Sequence, residues 1–217
     1  MRSDAEIRAD VEAELSYDPN LSANDIALSV KDGVVTLAGF VRSYFHKWQA
    51  ERDAKRVKGV RGVANDLEVR LPALDQRPDP EIAREAVQAL STALPYSAEK
   101  FTVTVKDGWV TLEGEAEWQY QREQAEAAVR RIRGIKGVTN EIKLRPKAAV
   151  STVKKLIEDA LKRSAEVDAQ NIEVEAEGDK VILKGRVRSW AERLEAERAA
   201  WRAPGVRKVE DQITIAV

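Results

Sequence analysis

Apolar residues near the start of the chain recur every four positions, which is the spacing of an α-helix with one buried face. Ile7, Val11 and Leu15 form this stripe among charged and small neighbours. The period then shortens to two over residues 26–31 and 34–39, where large apolar side chains alternate with small or polar ones. Such alternation is typical of half-buried β-strands, so the pattern predicts a helix followed by two strands.

The dipeptide Asp32-Gly33 separates the two alternating runs. It predicts a tight hairpin, because a type I′ turn needs a positive φ at both central residues and Asp-Gly accepts that geometry. A two-residue loop also sets the register and gives four side chains one common buried face. The predicted cross-strand pairs are Val30 with Val35 and Leu28 with Leu37.

A second helix and a closing strand follow the hairpin. Ser43 is a suitable N-cap, Ala50 and Ala54 lie at helical spacing, and Gly59 ends the helix. Residues 63–71 alternate again and predict a strand. The order of elements is therefore α-β-β-α-β.

This order occurs three times along the chain. The phrase VKDGVVTLAG at 30–39 returns as VKDGWVTLEG at 105–114, and a drifted copy, EGDKVILKG, follows at 177–185. The closing strands repeat with the same offsets. In the third copy, the turn EGDK at 177–180 predicts a loop one residue longer than the other two.

Repetition at this spacing predicts three small domains rather than one large domain. We expect an α+β protein of three tandem αββαβ units, each with two helices packed on one face of a three-stranded mixed sheet. The predicted units span 1–71, 81–145 and 151–217, with linkers at 72–80 and 146–150.

The repeated pattern D-G-x-V-x-L-x-G, followed by an alanine-spaced helix and G-V-x-x-V-x-N-x-L-x-V, resembles the BON domain, named for bacterial osmotically induced and nodulation proteins. In the first unit the matching residues are Asp32-Gly33, Gly39, Gly59-Val60, Val63, Asn65 and Leu67. In the second they are Asp107-Gly108, Gly114, Gly134-Ile135, Val138, Asn140 and Ile142. The third unit departs from the pattern in its turn and in Asp211, which stands where the others have asparagine.

The resemblance covers nearly the whole chain in three copies. It implies an αββαβ fold and a bacterial protein without catalytic activity. It also implies a link to envelope or osmotic stress and binding of phospholipid or protein partners.

Composition and charge narrow the function. The 217 residues include 36 Lys+Arg and 37 Asp+Glu, and a net charge of -1 disfavours nucleic acid as a partner. The chain has no cysteine, which excludes disulfides, thiolate metal sites and cysteine nucleophiles. His46 is the single histidine, and we expect it on the solvated surface of a charged helix. The expected surface position of His46 argues against a catalytic triad, no carboxylate pair is marked out for acid–base catalysis, and no glycine-rich phosphate loop is present. Together with the resemblance, these observations predict no enzymatic activity, no cofactor and no metal.

The first residues carry acids every few positions and no apolar run of the length that a secretory signal needs. Elsewhere no apolar run approaches the roughly 18 residues of a membrane-spanning helix. These patterns predict a cytoplasmic protein without a transmembrane segment. The alternative, a periplasmic location, requires that a leader was removed from the chain.

Basic residues gather around the end of each second helix. One interpretation is that they complement the negative end of the helix dipole, at about 0.3–1 kcal/mol each. The other is that they bind anionic lipid headgroups, at about 1 kcal/mol per residue. The candidate headgroup-binding residues are Lys55, Arg56, Lys58, Arg61, Arg130, Arg131, Arg133, Lys136, Arg202, Arg207 and Lys208.

Aromatic residues cluster around the start of each second helix, and one lies on the outward register of the second hairpin. If exposed, they are candidates for binding a protein partner, since aromatics are enriched at interaction hot spots. Alternatively, they fill the joins between units. The candidate partner-binding residues are Tyr44, Phe45, Trp48, Trp109, Trp118 and Trp190.

Together these features predict a non-enzymatic, stress-related binding or scaffold protein that contacts protein partners through its repeated units. The alternative function is peripheral binding of anionic phospholipid membranes through the basic ends of the second helices.

Overall fold

The computed structural model describes residues 2–145, 153–164 and 169–215, and the predicted linker at 146–150 lies outside them. The first unit contains α1 (Asp4–Tyr17), β1 (Ile26–Lys31), β2 (Val34–Val41), α2 (Tyr44–Arg56) and β3 (Gly62–Val69). The second contains α3 (Asp79–Ala93), β4 (Phe101–Lys106), β5 (Trp109–Ala116), α4 (Gln119–Val129), β6 (Gly137–Asn140) and β7 (Lys143–Leu144). The third contains α5 (Val153–Arg163), β8 (Ile172–Glu177), β9 (Lys180–Val187), α6 (Trp190–Trp201) and β10 (Lys208–Ile215). The predicted α+β class is confirmed.

Each sheet has the second strand of its hairpin at the centre. In the first unit, β1 and β2 pair antiparallel with Leu28 opposite Leu37 and Val30 opposite Val35, as the two-residue loop predicts. The central strand pairs in parallel with the closing strand. The parallel pairing requires a crossover, and α2 supplies it across one face of the sheet.

The closing strand of the second unit differs from the prediction because it is divided. Both β6 and β7 pair with β5, so this sheet counts four strands. Between them the backbone N–H of Glu141 donates a hydrogen bond to the carbonyl of Leu112 at 2.7 Å. The chain therefore stays beside β5 although the regular ladder is interrupted.

The predicted longer loop in the third hairpin is wrong. Glu177 pairs directly with Lys180, which leaves a two-residue loop, as in the other units. The first hairpin has a positive φ at both Asp32 (52°) and Gly33 (75°), whereas the third has one only at Gly178 (63°). The Gly178-Asp179 order therefore gives a different two-residue turn. A type I′ turn needs a positive φ at both loop residues, whereas this turn needs one only at its first residue, Gly178.

Each unit has its own apolar core between the sheet and its helices. In the first unit, Ile7 and Val11 of α1 pack with Val35 and Leu37 of β2, and these side chains have exposed fractions of 0–1%. Ala50 of α2 is fully buried, which allows the helix to approach the sheet closely.

A short 3-10 turn precedes each hairpin, and the sequence patterns did not predict it. This turn crosses over the last glycine of the repeated phrase. A Cβ atom on Gly39, whose φ is 115°, would lie 2.2 Å from the carbonyl oxygen of Asp25. The phrase therefore ends in glycine because no side chain fits under the turn.

The repeated asparagine of the closing strand connects that strand to the second helix. The Asn65 amide donates to the carbonyl of Lys47 at 3.0 Å and to Oε2 of Glu51 at 3.1 Å. In the third unit, Asp211 instead accepts a hydrogen bond from Nε of Arg193 at 2.6 Å. The side chain at this position joins the closing strand to the second helix in both units. Asn65 does so as a hydrogen-bond donor and Asp211 as an acceptor.

In the described parts of the chain, no helix combines the length and the apolar character that crossing a bilayer requires.

Candidate functional site

The first and second units meet at the start of α2. Tyr44 packs against the core of the second unit, and burial raises the pKa of its hydroxyl. The guanidinium carbon of Arg130 lies 3.9 Å from the centre of the Trp48 ring, and that of Arg131 lies 5.1 Å from the centre of the Phe45 ring. Cation–π contacts are worth about 0.5–2 kcal/mol each, depending on their desolvation. Aromatic residues of one unit and cations of the next therefore form this join.

The third and first units meet in the same manner. Trp190, the first residue of α6, packs against the core of the first unit, and Nζ of Lys55 lies 5.1 Å from its ring centre. Trp190 and Tyr44 each follow the N-cap of their helix. Lys55 and Arg130 also occupy equivalent positions in their units. At both joins, the start of the second helix of one unit thus contacts the end of the second helix of another unit.

These contacts separate the candidate partner-binding aromatics into two groups. One group lies in the joins, where its members are partly buried: Tyr44, Phe45, Trp48 and Trp190. The other group remains accessible, with exposed fractions of 50% for Trp109 and 39% for Trp118. The first group therefore serves contacts within the chain.

The candidate headgroup-binding residues also separate. Several form ion pairs inside their own unit: Lys55 with Glu51, Arg56 with Glu14, Arg130 with Glu126, Arg202 with Glu195, and Arg207 with Asp179. Lys58, Arg61, Lys136 and Lys208 are exposed on the surface. Arg131 and Arg133 line a cleft between the first two units.

This cleft, called the arginine cleft below, has a volume of about 630 Å³. The first unit contributes Arg42, Ser43 and His46 among other residues, and the second contributes residues 130–133. Asp75 is the acidic residue among those that line it. Guanidinium groups from two units therefore face a common space that exists only when the units are docked.

The start of α2 adds to the positive character of the arginine cleft. Ser43 is its N-cap and accepts a hydrogen bond from the backbone N–H of His46 at 3.2 Å. The first turn of α2 contains no acidic residue, and Arg42 precedes the cap. Acids normally occupy this end of a helix because its dipole is positive there. The positive end of α2 is therefore reinforced by charge rather than neutralised.

His46 lies half-buried in the arginine cleft and not on the solvated surface that the sequence predicts. Burial lowers the pKa of its imidazole, and the charge of Arg42 acts in the same direction. The carboxylate of Asp18 opposes them. The imidazole is consequently neutral near pH 7, and it adds positive charge to the cleft on acidification.

A buried carboxyl group lies on the next turns of α2. Asp53 is only 2% exposed, and Nε2 of Gln49 donates to its Oδ1 at 3.0 Å. Burial and the neighbouring carboxylate of Asp18 raise the pKa of Asp53 to about 6. The equivalent residues of the other units are Ala128 and Ala199, so this group is particular to the first unit.

Arg42 and the role of His46 were not predicted from the sequence, because a basic site was sought only around the ends of the second helices. A local signal existed at the start of α2, whose first turn contains no acidic residue and whose N-cap follows Arg42. The position of this start opposite residues 130–133 depends on the packing of two units. Among the described residues, no group of three or more His, Asp or Glu side chains is arranged to hold a metal ion.

Comparisons with known proteins support the repeat structure. The profile of the BON domain matches residues 3–70, 78–146 and 149–217. The chain is 33% identical to osmotically-inducible protein Y of Escherichia coli (strain K12) over 148 residues, which cover 64% of this chain and 72% of that protein.

Solved structures show weaker likenesses. One is CdsD, a structural protein of the type III secretion system of Chlamydia trachomatis, with 15% identity, coverage of 97% of this chain and 92% of that one, and a TM-score of 0.27. Another is the PrgH periplasmic domain, with 13% identity, coverage of 88% and 95%, and a TM-score of 0.23.

Proposed function

Because the chain belongs to the BON domain family and carries three copies of the domain, we propose that it is a non-catalytic, stress-related binding protein whose arginine cleft takes phosphate-bearing anions presented by anionic phospholipid surfaces. The relationship to an osmotically-inducible protein supports the link to stress. The cleft supports the choice of ligand.

The observation that carries the proposal is the convergence of Arg42, Arg131 and Arg133 on one cleft. In the described residues, no carboxylate lies within ion-pair distance of these three guanidinium groups, in contrast to the paired residues of the third unit. A guanidinium group presents a planar set of donors that matches two oxygens of a phosphate. With four arginines and one aspartate among its lining residues, the cleft also concentrates a positive field that attracts an anion.

The nearly neutral net charge of the chain favours membrane binding at one local basic site over attraction by the protein as a whole. The net charge is only -1, so a membrane is attracted where basic residues are concentrated. Three arginines near an anionic surface contribute about 1 kcal/mol each. This corresponds to weak binding, and other exposed cations such as Lys58 can add to it where they face the same surface.

A protein partner is the second candidate function, and the exposed aromatics favour it. Trp118 and Tyr120, which flank the first residue of α4, are 39% and 53% exposed. Large aromatic side chains at accessible positions are typical of interaction hot spots. The involvement of Tyr44, Trp48 and Trp190 in the joins reduces the surface available for this function.

Cosedimentation with vesicles tests the main proposal. We expect more protein to bind vesicles of phosphatidylcholine mixed with phosphatidylglycerol than vesicles of phosphatidylcholine alone, and the difference should shrink as salt is raised. Combining Arg131→Glu with Arg133→Glu should remove most of the difference. The matched control combines Arg202→Glu with Arg207→Glu, which makes the same change of charge at paired residues of the third unit.

Equal recovery of the unmodified protein with both vesicles would refute the proposal. So would an equal loss of binding in the two double variants, since that result would show a dependence on net charge and not on the cleft.

A further inference from the structure

Trp109 is the first residue of β5 and lies on the sheet face opposite the helices, with half of its side chain exposed. Its ring is nevertheless held in place. The indole Nε1 donates a hydrogen bond to Oγ1 of Thr139 at 2.8 Å. A Cβ atom on Gly137 would lie 2.5–2.6 Å from Cζ3, Cε3 and Cη2 of the indole.

These distances define the orientation of the ring. Three consecutive atoms of a six-membered ring are equidistant only from points close to the axis through the ring centre. The face of the indole, and not its edge, therefore lies against Gly137, which must be glycine to leave room for it. The opposite face is the exposed one. Trp109 is a flat apolar platform whose side-chain freedom is already restricted before any ligand binds.

The surroundings of this platform are hydroxyl-rich. Thr104, Thr111 and Thr139 lie directly opposite one another on β4, β5 and β6. They form a row across the sheet, called the threonine row below. This row lies two residues along the strands from Trp109, which places it about 7 Å from the row of Lys106, Trp109 and Gly137. A depression of about 520 Å³ lies over the platform and part of this row.

The other units lack the platform at the same positions. The first unit has Val34 where the second has Trp109, and Ala64 where it has Thr139. In the third unit, Lys180 and Glu210 occupy these places and form an ion pair at 2.8 Å. A second ion pair, between Lys184 and Glu175, flanks Ile182 and leaves it only 8% exposed. The first unit does carry Phe40 on this face, but the guanidinium carbon of Arg70 lies 4.7 Å from the centre of its ring and covers it. Among the described residues of the three central strands, Trp109 is therefore the aromatic ring left open on this face.

We propose that this face of the second unit binds a saccharide, namely a chain of β-1,4-linked hexopyranose units, with one sugar ring stacked on Trp109 and its hydroxyl groups bonded to the threonine row. The inference does not depend on the arginine cleft, which lies on other elements.

The chemistry of the face favours this ligand. The negative face of an indole attracts C–H groups, and a β-linked pyranose presents a flat array of axial C–H bonds with hydroxyl groups at its edge. An apolar protein surface would bury the hydroxyl groups of Thr104 and Thr111 without supplying partners, at a cost of about 1–3 kcal/mol for each unsatisfied group. The depression is lined by Lys106, Lys136 and Asp107, and Glu113 and Glu115 lie farther along the same strand face. A polyanion or a polycation would therefore meet charges of its own sign. A neutral polyhydroxylated chain avoids both penalties.

The test follows the indole N–H resonance of Trp109 by NMR in the full chain, assigned by its loss in Trp109→Phe. Cellohexaose and chitohexaose are the β-1,4-linked probes, and maltohexaose is the α-linked control. We expect a saturable shift with a β-linked probe, in the millimolar range or tighter, and at least about tenfold weaker binding of maltohexaose.

Trp109→Ala should weaken the binding of the β-linked probe by about tenfold or more, measured on the amide resonances of the threonine row. Trp118→Ala removes another exposed tryptophan of the same unit and should leave the binding unchanged. Thr139→Val keeps the ring but removes its hydrogen bond, and it should give an intermediate loss. Absence of a saturable shift with both β-linked probes, or equal binding by Trp109→Ala and the unmodified protein, overturns the proposal.

Discussion

The side chain of Asp4 accepts a hydrogen bond from the backbone N–H of Gly33 at 2.9 Å, and its other oxygen accepts one from the N–H of Asp32 at 2.8 Å. The first turn of α1 is thereby joined to a hairpin loop far along the chain. Asp79 makes the same two contacts, at the same distances, with the second hairpin. Both backbone donors of each loop are thus satisfied by one carboxylate.

Replacing Asp4 should loosen the first hairpin loop. Asp4→Ala removes the acceptor for two backbone donors, and we expect a loss of about 1–3 kcal/mol in local stability. Amide hydrogen exchange at Gly33 should become faster, while exchange at the equivalent Gly108 should not change. Glu12→Ala, an exposed change on the same helix, is the control, and an equal effect of that variant would contradict the assignment.

The asparagine of the closing strand gives a second prediction. Asn65→Asp places a negative charge beside Glu51 and removes the amide donor, so the free energy of unfolding of the first unit should fall by about 1–3 kcal/mol. The third unit combines aspartate with Arg193 at these positions, so adding Lys47→Arg should restore part of the loss. A double-mutant cycle from denaturant unfolding measures this coupling, and simple additivity of the two changes would count against it.

Stability should depend on pH through Asp53. Its pKa is about 6 in the folded protein, above its usual value of 3.8, because the charged form is buried and lies near Asp18. The associated stability is complete below pH 3.8 and is lost as pH rises through 6. Asp53→Asn mimics the neutral carboxyl group, so it should raise the free energy of unfolding at pH 7.5 by about 1–3 kcal/mol.

The gain from Asp53→Asn should disappear near pH 4, where the native carboxyl group is protonated. Urea denaturation at the two pH values measures the change. A gain of the same size at both values would mean that charge burial is not its cause.

The join between the third and first units should depend on Trp190. Removing the ring in Trp190→Ala eliminates its packing on the first unit and the contact with Lys55, which lies 5.1 Å from it. We expect the third unit to tumble more independently, with shorter rotational correlation times by NMR relaxation and a larger radius of gyration by X-ray scattering. Trp118→Ala, on the exposed start of α4, is the matched control and should leave both measurements unchanged.

Anion binding in the arginine cleft should strengthen on acidification. The pKa of His46 is lowered by burial and by Arg42, so the imidazole gains its charge only below its ordinary value of 6.5. The affinity for phosphatidylglycerol-containing vesicles should therefore rise between pH 7.5 and pH 5. His46→Gln should reduce this rise and leave binding at pH 7.5 nearly unchanged. If the pH profile of that variant is unaltered, His46 is not the cause of the rise. The remaining candidate would then be Asp53, which loses its negative charge in the same pH range.

The hairpins were predictable in residue-level detail because they depend on neighbours in sequence. Alternation of apolar residues and the Asp32-Gly33 turn specify the pairs of the first hairpin. The third loop was mistaken because its Gly178-Asp179 order was treated as an insertion instead of another two-residue turn. The short turns before the hairpins were missed, since three residues carry no periodicity.

The candidate site was only partly predictable. The cations at the end of α4, including Arg131, were visible as a basic cluster, but nothing in their spacing distinguished them from the paired residues of the third unit. Arg42 and His46 join them through the packing of one unit on another. The aromatic residues were recognised as a group, and only the structure divides them between joins and surface.

The sequence by itself determined three αββαβ units, the register of the first two hairpins and the existence of a separate core in each unit, because periodicity and turn chemistry act over a few residues. Only the tertiary structure decided which cations are paired, which aromatics are covered, and which residues line the arginine cleft. These properties depend on contacts between segments far apart in the chain, and no local pattern encodes the distance between such segments.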